Sequence, residues 1–268
     1  MMSGAPEQEN PDTMPVTEDA FLGGRLRVLQ PRKGFRAGID SVLLAAAVPA
    51  GEGERVFEAG CGPGVAALCL LARVRGARVT AVESHPLHAA LAERNAARND
   101  LADRLHVIVG DALRAGKADG PPGLEPGTFH HAFANPPYHP ANAAPPSPDA
   151  GKAAAHMRAH ALQPWVRALA RMVRPRGTLT LIMPASALPE LLSAMLQANV
   201  GALRVAPLWP RAGRPALRVL VQGRRDMKTP ACLLPGLVLH KSGNAFTEEA
   251  EHILRHMGAF AWEAAEQK

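Results

Sequence analysis

From Glu54 onward the apolar positions fall into two alternating periods. Runs of strand length, Arg55 to Ala59, Arg78 to Glu83, Leu105 to Val109, Phe129 to Ala134 and Thr178 to Met183, are interleaved with longer segments of helical spacing, Val65 to Arg75, Pro86 to Asn99, Leu162 to Val173 and Leu188 to Ala198. Strands that alternate with helices predict an α/β, doubly wound, mostly parallel sheet, with ligands outside the carboxyl ends of its strands. Two later runs, Leu203 to Leu208 and Leu217 to Gln222, are joined by Trp209 to Pro215. That connection is too short for a crossover helix, so the pair is predicted to be an antiparallel edge hairpin that completes seven strands.

Ahead of this unit, Arg25 to Gln30 alternates as a strand does. Ile39 to Val48 is an alanine-rich helix, placed within 38–48, that Asp40 or Ser41 would cap and Pro49 would end. Residues 1–20 have few apolar anchors and are expected to be a disordered tail, with one domain over 21–268. A strand and a helix are expected over 236–262. Two Pro/Gly/Ala-rich stretches, Ala115 to Gly127 and His139 to Ala155, read as loops, the second part of a lid over 139–160.

Composition adds limits. The chain has 268 residues, 47% hydrophobic and 20% charged, enough for one good α/β core. It has no apolar run approaching the roughly 20 residues of a membrane span, and its first residues are polar and acidic, so a cytoplasmic protein without a membrane partner is expected. Cys61, Cys69 and Cys232 lack ligand spacing and are expected to be buried small apolar residues. No metal is expected either: His130 and His131 are adjacent on a strand and point to opposite faces, while His156 and His160 have helical spacing but no third ligand nearby. The net charge is +6, and Arg167, Arg171, Arg174, Arg176, Arg204, Arg211, Arg214, Arg218, Arg224, Arg225 and Lys228 crowd the second half with few acids between them. That distribution suits a polyanionic partner or a solvated basic face.

The chemistry concentrates at strand ends. Glu58, Gly60, Gly62 and Gly64 lie between a strand and a helix, where glycines permit a tight turn and let backbone approach a ligand. Glu83 ends the next strand, followed by Ser84, and is placed to accept both hydrogen bonds of a ribose diol. Asp111, followed by Ala112, ends the third and is placed to meet an adenine. These residues alone leave open a dinucleotide reading in a shifted register.

Asn135-Pro136-Pro137-Tyr138, at the end of the fourth strand, decides against it. An adenine or amide nitrogen is a poor nucleophile because its lone pair is delocalised. The Asn135 side-chain oxygen and the Pro136 carbonyl can each accept one N–H of such an amine, the prolines stiffen the pair, and Tyr138 offers a face for a flipped-out base. The cofactor this implies is S-adenosylmethionine, with Asn135 at the junction of cofactor and acceptor.

With these motifs assembled, the chain resembles the bacterial tRNA (adenine-N6)-methyltransferases that modify the adenine 3′ of the anticodon of valine tRNA. The resemblance runs from about Thr17 to Phe260. It includes Gly34 to Leu44, the glycine turn, Asn135 to Tyr138, Trp209 to Val219 and Leu239 to Thr247. It implies a Rossmann-like methyltransferase with tRNA as substrate. It also implies that Phe35, Arg36 and Asp40 lie near the methionine end of the cofactor, with Asp40 holding its helix against the site. Arg211, Arg214 and Arg218 flank the hairpin and are expected to contact RNA phosphates. His130, His131 and His139 depart from the family's pattern. The Asn-Pro-Pro-Tyr motif is shared with DNA adenine and protein glutamine methylases, so a glutamine N5-methyltransferase is the nearest rival. A nicotinamide-dependent oxidoreductase and a noncatalytic RNA-binding protein with a methylase fold are rivals of other classes.

Overall fold

The computed structural model describes residues 15–34, 36–137 and 162–263. Phe35, Tyr138, His139, His156, His160 and the lid expected over 139–160 lie outside the described residues.

The central sheet grows from its middle outward. β3 (Arg55–Ala59) is followed by α1's successor in the chain, α2 (Val65–Arg73), then β4 (Arg78–Glu83), α3 (Pro86–Arg98) and β5 (Leu105–Val109), all strands parallel; α1 itself (Ile39–Ala47) precedes β3. The chain then returns to the other side of β3 with β6 (Phe129–Ala134), α4 (Leu162–Met172) and β7 (Val173–Pro184). After α5 (Leu188–Gln197), β8 (Val200–Arg211) and β9 (Arg218–Arg225) form the antiparallel pair, with β9 inserted between β7 and β8. The order β5-β4-β3-β6-β7-β9-β8 accounts for the seven expected strands. Two short strands extend it: β10 (Cys232–Leu233) and β11 (Leu237–His240) both pair parallel with β8, so the hairpin is not the sheet's edge. β11 falls within the strand-and-helix stretch expected over 236–262, whereas β10, of two residues, carries too little periodicity to be read.

Side chains alternate across the sheet into two apolar layers. Val56, Val79, Ala81, Phe133 and Ile182 pack on α1, α2 and α6 (Glu248–His256). Phe57, Ala132, Leu179 and Leu181 pack on α4 and α5. Among the described residues no helix is long and apolar enough to cross a membrane.

Three local expectations are corrected. Residues 16–20 are ordered: β1 (Val16–Phe21) pairs antiparallel with β2 (Leu26–Pro31). Their anchors are polar and come from elsewhere, Glu18 pairing with Arg98 of α3 and Asp19 with Arg36, which a count of local apolar residues misses. The N-cap of α1 is Gly38, without a side-chain cap bond; Asp40 is in the first turn and pairs elsewhere. Cys61 and Cys69 are buried, but Cys232 is exposed on β10.

β7 also begins earlier than its apolar run. Val173 pairs with Phe129, then the chain bulges through Arg176 at φ +64° before Thr178 pairs with His131. Gly177 is required there, because a Cβ would lie 2.5 Å from the His130 carbonyl oxygen.

Candidate active site

Strand register assembles the site. Ala59 pairs with Val82 on one side and Ala134 on the other, while Glu83 pairs with Val109. The residues that follow, Gly60, Asn135 and Asp111, therefore emerge together at the carboxyl ends of adjacent strands. Between β3 and β6 the chain reverses its direction of growth, the switch point where open α/β sheets bind ligands.

The turn after β3 is held from below. Gly60, Gly62 and Gly64 all have positive φ, at 72°, 54° and 84°. At Gly60 a Cβ would meet the Trp165 ring at 3.0 Å, and at Gly64 it would meet Ala92 at 3.0 Å, so larger residues would push α4 or α3 away. Glu83 is buried and ties the turn to β4: its Oε2 accepts from the Gly62 N–H at 2.8 Å and its Oε1 from the His85 N–H at 2.9 Å, with the Ser84 hydroxyl 3.4 Å from Oε1. An ionised carboxylate has about four acceptor sites, so Glu83 retains capacity for a ribose diol.

Glu58 differs. It is 4% exposed on the α2 side of β3, and among the described residues its Oε2 has no hydrogen-bond partner. Burial and the neighbouring Glu83 raise its carboxyl to about 8, so it is largely protonated at neutral pH. It lies beneath the turn rather than on its open side. Asp111 is exposed and caps the short helical turn beginning at the buried Ala112, its Oδ1 accepting from the Leu113 N–H at 2.9 Å.

Beside Asn135, where an acceptor would enter, is a cleft of about 450 Å³ lined by Arg36 to Ser41, Asn135, Pro136, Pro184 and Arg218. Asn135 is half-buried, and among the described residues nothing hydrogen-bonds its side-chain amide. Pro136 is buried behind it and Pro137 is exposed. The segment Arg36 to Ser41 and the distant Asn135, Pro184 and Arg218 are thus brought to one cavity.

The three arginines expected on RNA are not equivalent. Arg211 and Arg214 are exposed near the hairpin tip, with Arg211 Nη2 donating to the Gly243 carbonyl at 2.7 Å. Arg218 is not part of a free basic face: its Nε donates to Asp40 Oδ2 at 2.9 Å, and it lines the acceptor cleft because β9 opens opposite Pro184, the last residue of β7. This pair links the first turn of α1 to the start of β9.

Sequence reasoning missed Pro184, Ser41, Ile39 and Trp165. Pro184 ends a strand at the same edge as Asn135 and was accessible to the carboxyl-end rule. Trp165 touches Gly60 only through the packing of α4, which no local signal reports. His130 and His131 are structural: His131 Nδ1 lies 2.7 Å from Thr178 Oγ1 and Nε2 2.8 Å from Glu54 Oε2, while His130 Nδ1 accepts from the Arg55 N–H. Among the described residues no group of three potential ligands could hold a metal.

Comparison with known proteins places this geometry. The methyltransferase small domain matches residues 36–183. A tRNA1(Val) (adenine(37)-N6)-methyltransferase of Aeromonas salmonicida is 26% identical over 85% of this chain and 92% of its own. A protein of the same name from Porphyromonas gingivalis is 30% identical over 65% of this chain and 68% of its own. A release factor glutamine methyltransferase of Chlorobaculum tepidum is 32% identical, over 42% of this chain and 38% of its own. Among solved structures, a "predicted O-methyltransferase" of Agrobacterium tumefaciens superposes with a TM-score of 0.69 at 26% identity, over 82% of this chain and 98% of its own. The glycine turn, Glu83 and the Asn135 cleft fit the cofactor of such enzymes. The chain belongs to the methyltransferase small domain family, as an S-adenosylmethionine-dependent methyltransferase grouped with the tRNA1(Val) (adenine(37)-N6)-methyltransferases.

Proposed function

We propose that this enzyme methylates the exocyclic N6 of an adenine in tRNA, with Asn135 as the residue that selects the reacting nitrogen. One observation carries the reading: the β3–β6 register sets the Asn135 amide, unpartnered among the described residues, beside the glycine turn and in the lining of a cleft. The backbone of Gly60 to Gly64, the Glu83 carboxylate and Asp111 would hold the nucleoside part of S-adenosylmethionine, and the Arg36–Asp40 segment its methionine end. The cofactor supplies an electrophilic methyl group.

The chain's own task is to present the amine. Asn135 Oδ1 and the Pro136 carbonyl each accept one N–H, which turns the nitrogen lone pair out of conjugation and toward the methyl. The excess proton of the product leaves to water, so no strong base is needed. Tyr138, next in the chain, would add a stacking face. Arg211 and Arg214 would contact phosphates, which position the RNA without reading its sequence.

The test is incubation with labelled S-adenosylmethionine and bulk tRNA, followed by nucleoside mass analysis. N6-methyladenosine in a single tRNA is expected. Label in a protein glutamine, or none in RNA, would overturn the reading.

A further inference from the structure

The Arg36–Ile39 segment has a cavity on each side. One is the acceptor cleft; the other, of about 600 Å³, lies between the β1–β2 hairpin, α1 and α6. Among the described residues Arg36, Ala37, Gly38 and Ile39 line both and separate the two.

The partition is firmly held. The Gln30 side chain, itself buried, accepts from the Ala37 N–H at 2.8 Å and donates to the Ala37 carbonyl at 3.2 Å. Arg36 donates to Asp19 at 2.5 Å, to Thr17 Oγ1 at 2.6 Å and to the Pro31 carbonyl at 2.8 Å. These bonds give the ordered β1 strand a role: the hairpin supports the wall of the acceptor cleft. Ile39, at the end of that wall, is 40% exposed, and few large apolar side chains among the described residues are as open.

The second cavity combines apolar surface from Phe21, Leu22, Phe246 and Leu254 with the ion pair of Arg36 and Asp19. Arg255, whose Nε also donates to Glu251 Oε1 at 3.1 Å, is in its lining. Arg25 stands at its border, with Nη1 donating to the Leu22 and Arg255 carbonyls at 3.1 and 2.7 Å. Flat apolar walls beside cations, adjoining a cleft for an unstacked adenine, match how proteins hold single-stranded RNA: bases are splayed apart and packed on side chains while arginines meet the backbone. An aliphatic side chain between two base sites acts as a wedge.

We infer that the second cavity is a subsite for the nucleobase adjacent to the target adenine, with Ile39 separating the two bases. This rests on the reading of the enzyme as an RNA adenine methyltransferase. It makes recognition depend on two neighbouring unstacked nucleotides, which a loop offers and a duplex does not.

The test uses the full chain, saturating S-adenosylmethionine and a valine-tRNA anticodon stem-loop, either intact or abasic immediately 5′ or 3′ of the target. One of the two abasic RNAs should show a KM raised about tenfold, the scale of one lost base contact. Phe21 lines the cavity from a half-buried strand position, on the same face of β1 as Asp19, so Phe21→Ala removes one apolar wall. Phe21→Ala should raise KM for intact RNA to a similar extent, leave kcat and cofactor affinity unchanged, and abolish the abasic penalty. Parental KM for both abasic RNAs overturns the subsite, as does an abasic penalty undiminished in Phe21→Ala. Absence of adenine methylation by the unaltered chain overturns the functional reading, and the subsite with it.

Discussion

The two ends of the central strands carry similar polar residues and use them differently. At the amino ends of β3, β6 and β7, Glu54, His131 and Thr178 satisfy one another. Burial pushes the Glu54 carboxyl up, but the Gly51 N–H and His131 outweigh it and hold the carboxyl below its ordinary value. Burial holds the His131 imidazole below its own ordinary value against the pull of Glu54. The pair is therefore a carboxylate and a neutral imidazole: Nε2–H donates to Glu54, and Nδ1 accepts from the Thr178 hydroxyl. At the carboxyl ends, Asn135 has no partner among the described residues and Glu83 has acceptor capacity to spare. Closed polar networks specify the sheet, whereas open ones await a ligand.

The sharpest way to break this comparison is at Asn135. Asn135→Ala should keep the fold and cofactor affinity but slow methyl transfer roughly a hundredfold or more, since a preorganised transition-state partner contributes about 3 kcal/mol. Single-turnover rates at saturating cofactor measure it, and a parental rate would reduce Asn135 to a turn residue. Next is Glu83→Ala, which removes a charge-assisted acceptor worth roughly 1.5–3 kcal/mol and also frees the Gly62 N–H. The dissociation constant for S-adenosylmethionine should rise about ten- to hundredfold by calorimetry, and an unchanged value would remove Glu83 from the cofactor site.

At the opposite end, His131→Ala strands Glu54 and Thr178. It should cost about 1–3 kcal/mol of stability in denaturant unfolding with kcat intact. A fall in kcat without loss of stability would contradict the division between the two ends. His131 also sets a pH dependence. Its folded pKa is depressed, so its contribution is present above the ordinary value of 6.5 and is lost as pH falls through the folded value; Glu54 acts in the same sense below 4.5. The parent should lose stability from about pH 6.5 downward, and His131→Ala should lack the first part of that loss.

Glu58 has the reverse sign. Its folded pKa is raised to about 8, so its stabilisation is complete below 4.5 and declines as pH rises to about 8. Glu58→Gln should melt several degrees above the parent at pH 8 and no higher at pH 4. An equal difference at both pH values would show that the carboxyl is not titrating.

Most of the α/β unit was legible because its signals are local. β3, β4, β5 and β6 have the limits their apolar runs predict, and the glycine turn, Glu83, Asp111 and Asn135 each follow a strand whose end is visible in sequence. Once the strands alternate with helices, parallel topology gathers those ends at one edge. Tertiary structure alone decided which polar groups meet. Arg218 faces Asp40 across 178 positions of chain, Arg98 meets Glu18 across 80, and His131 meets Glu54 across 77. The same distant pairings ordered β1, turned an arginine expected on RNA into a wall of the acceptor cleft, and built the second cavity. Periodicity records which face a residue presents to its own neighbours. It holds no information about a partner brought close only when the whole sheet has formed, and this enzyme's acceptor side is assembled from such partners.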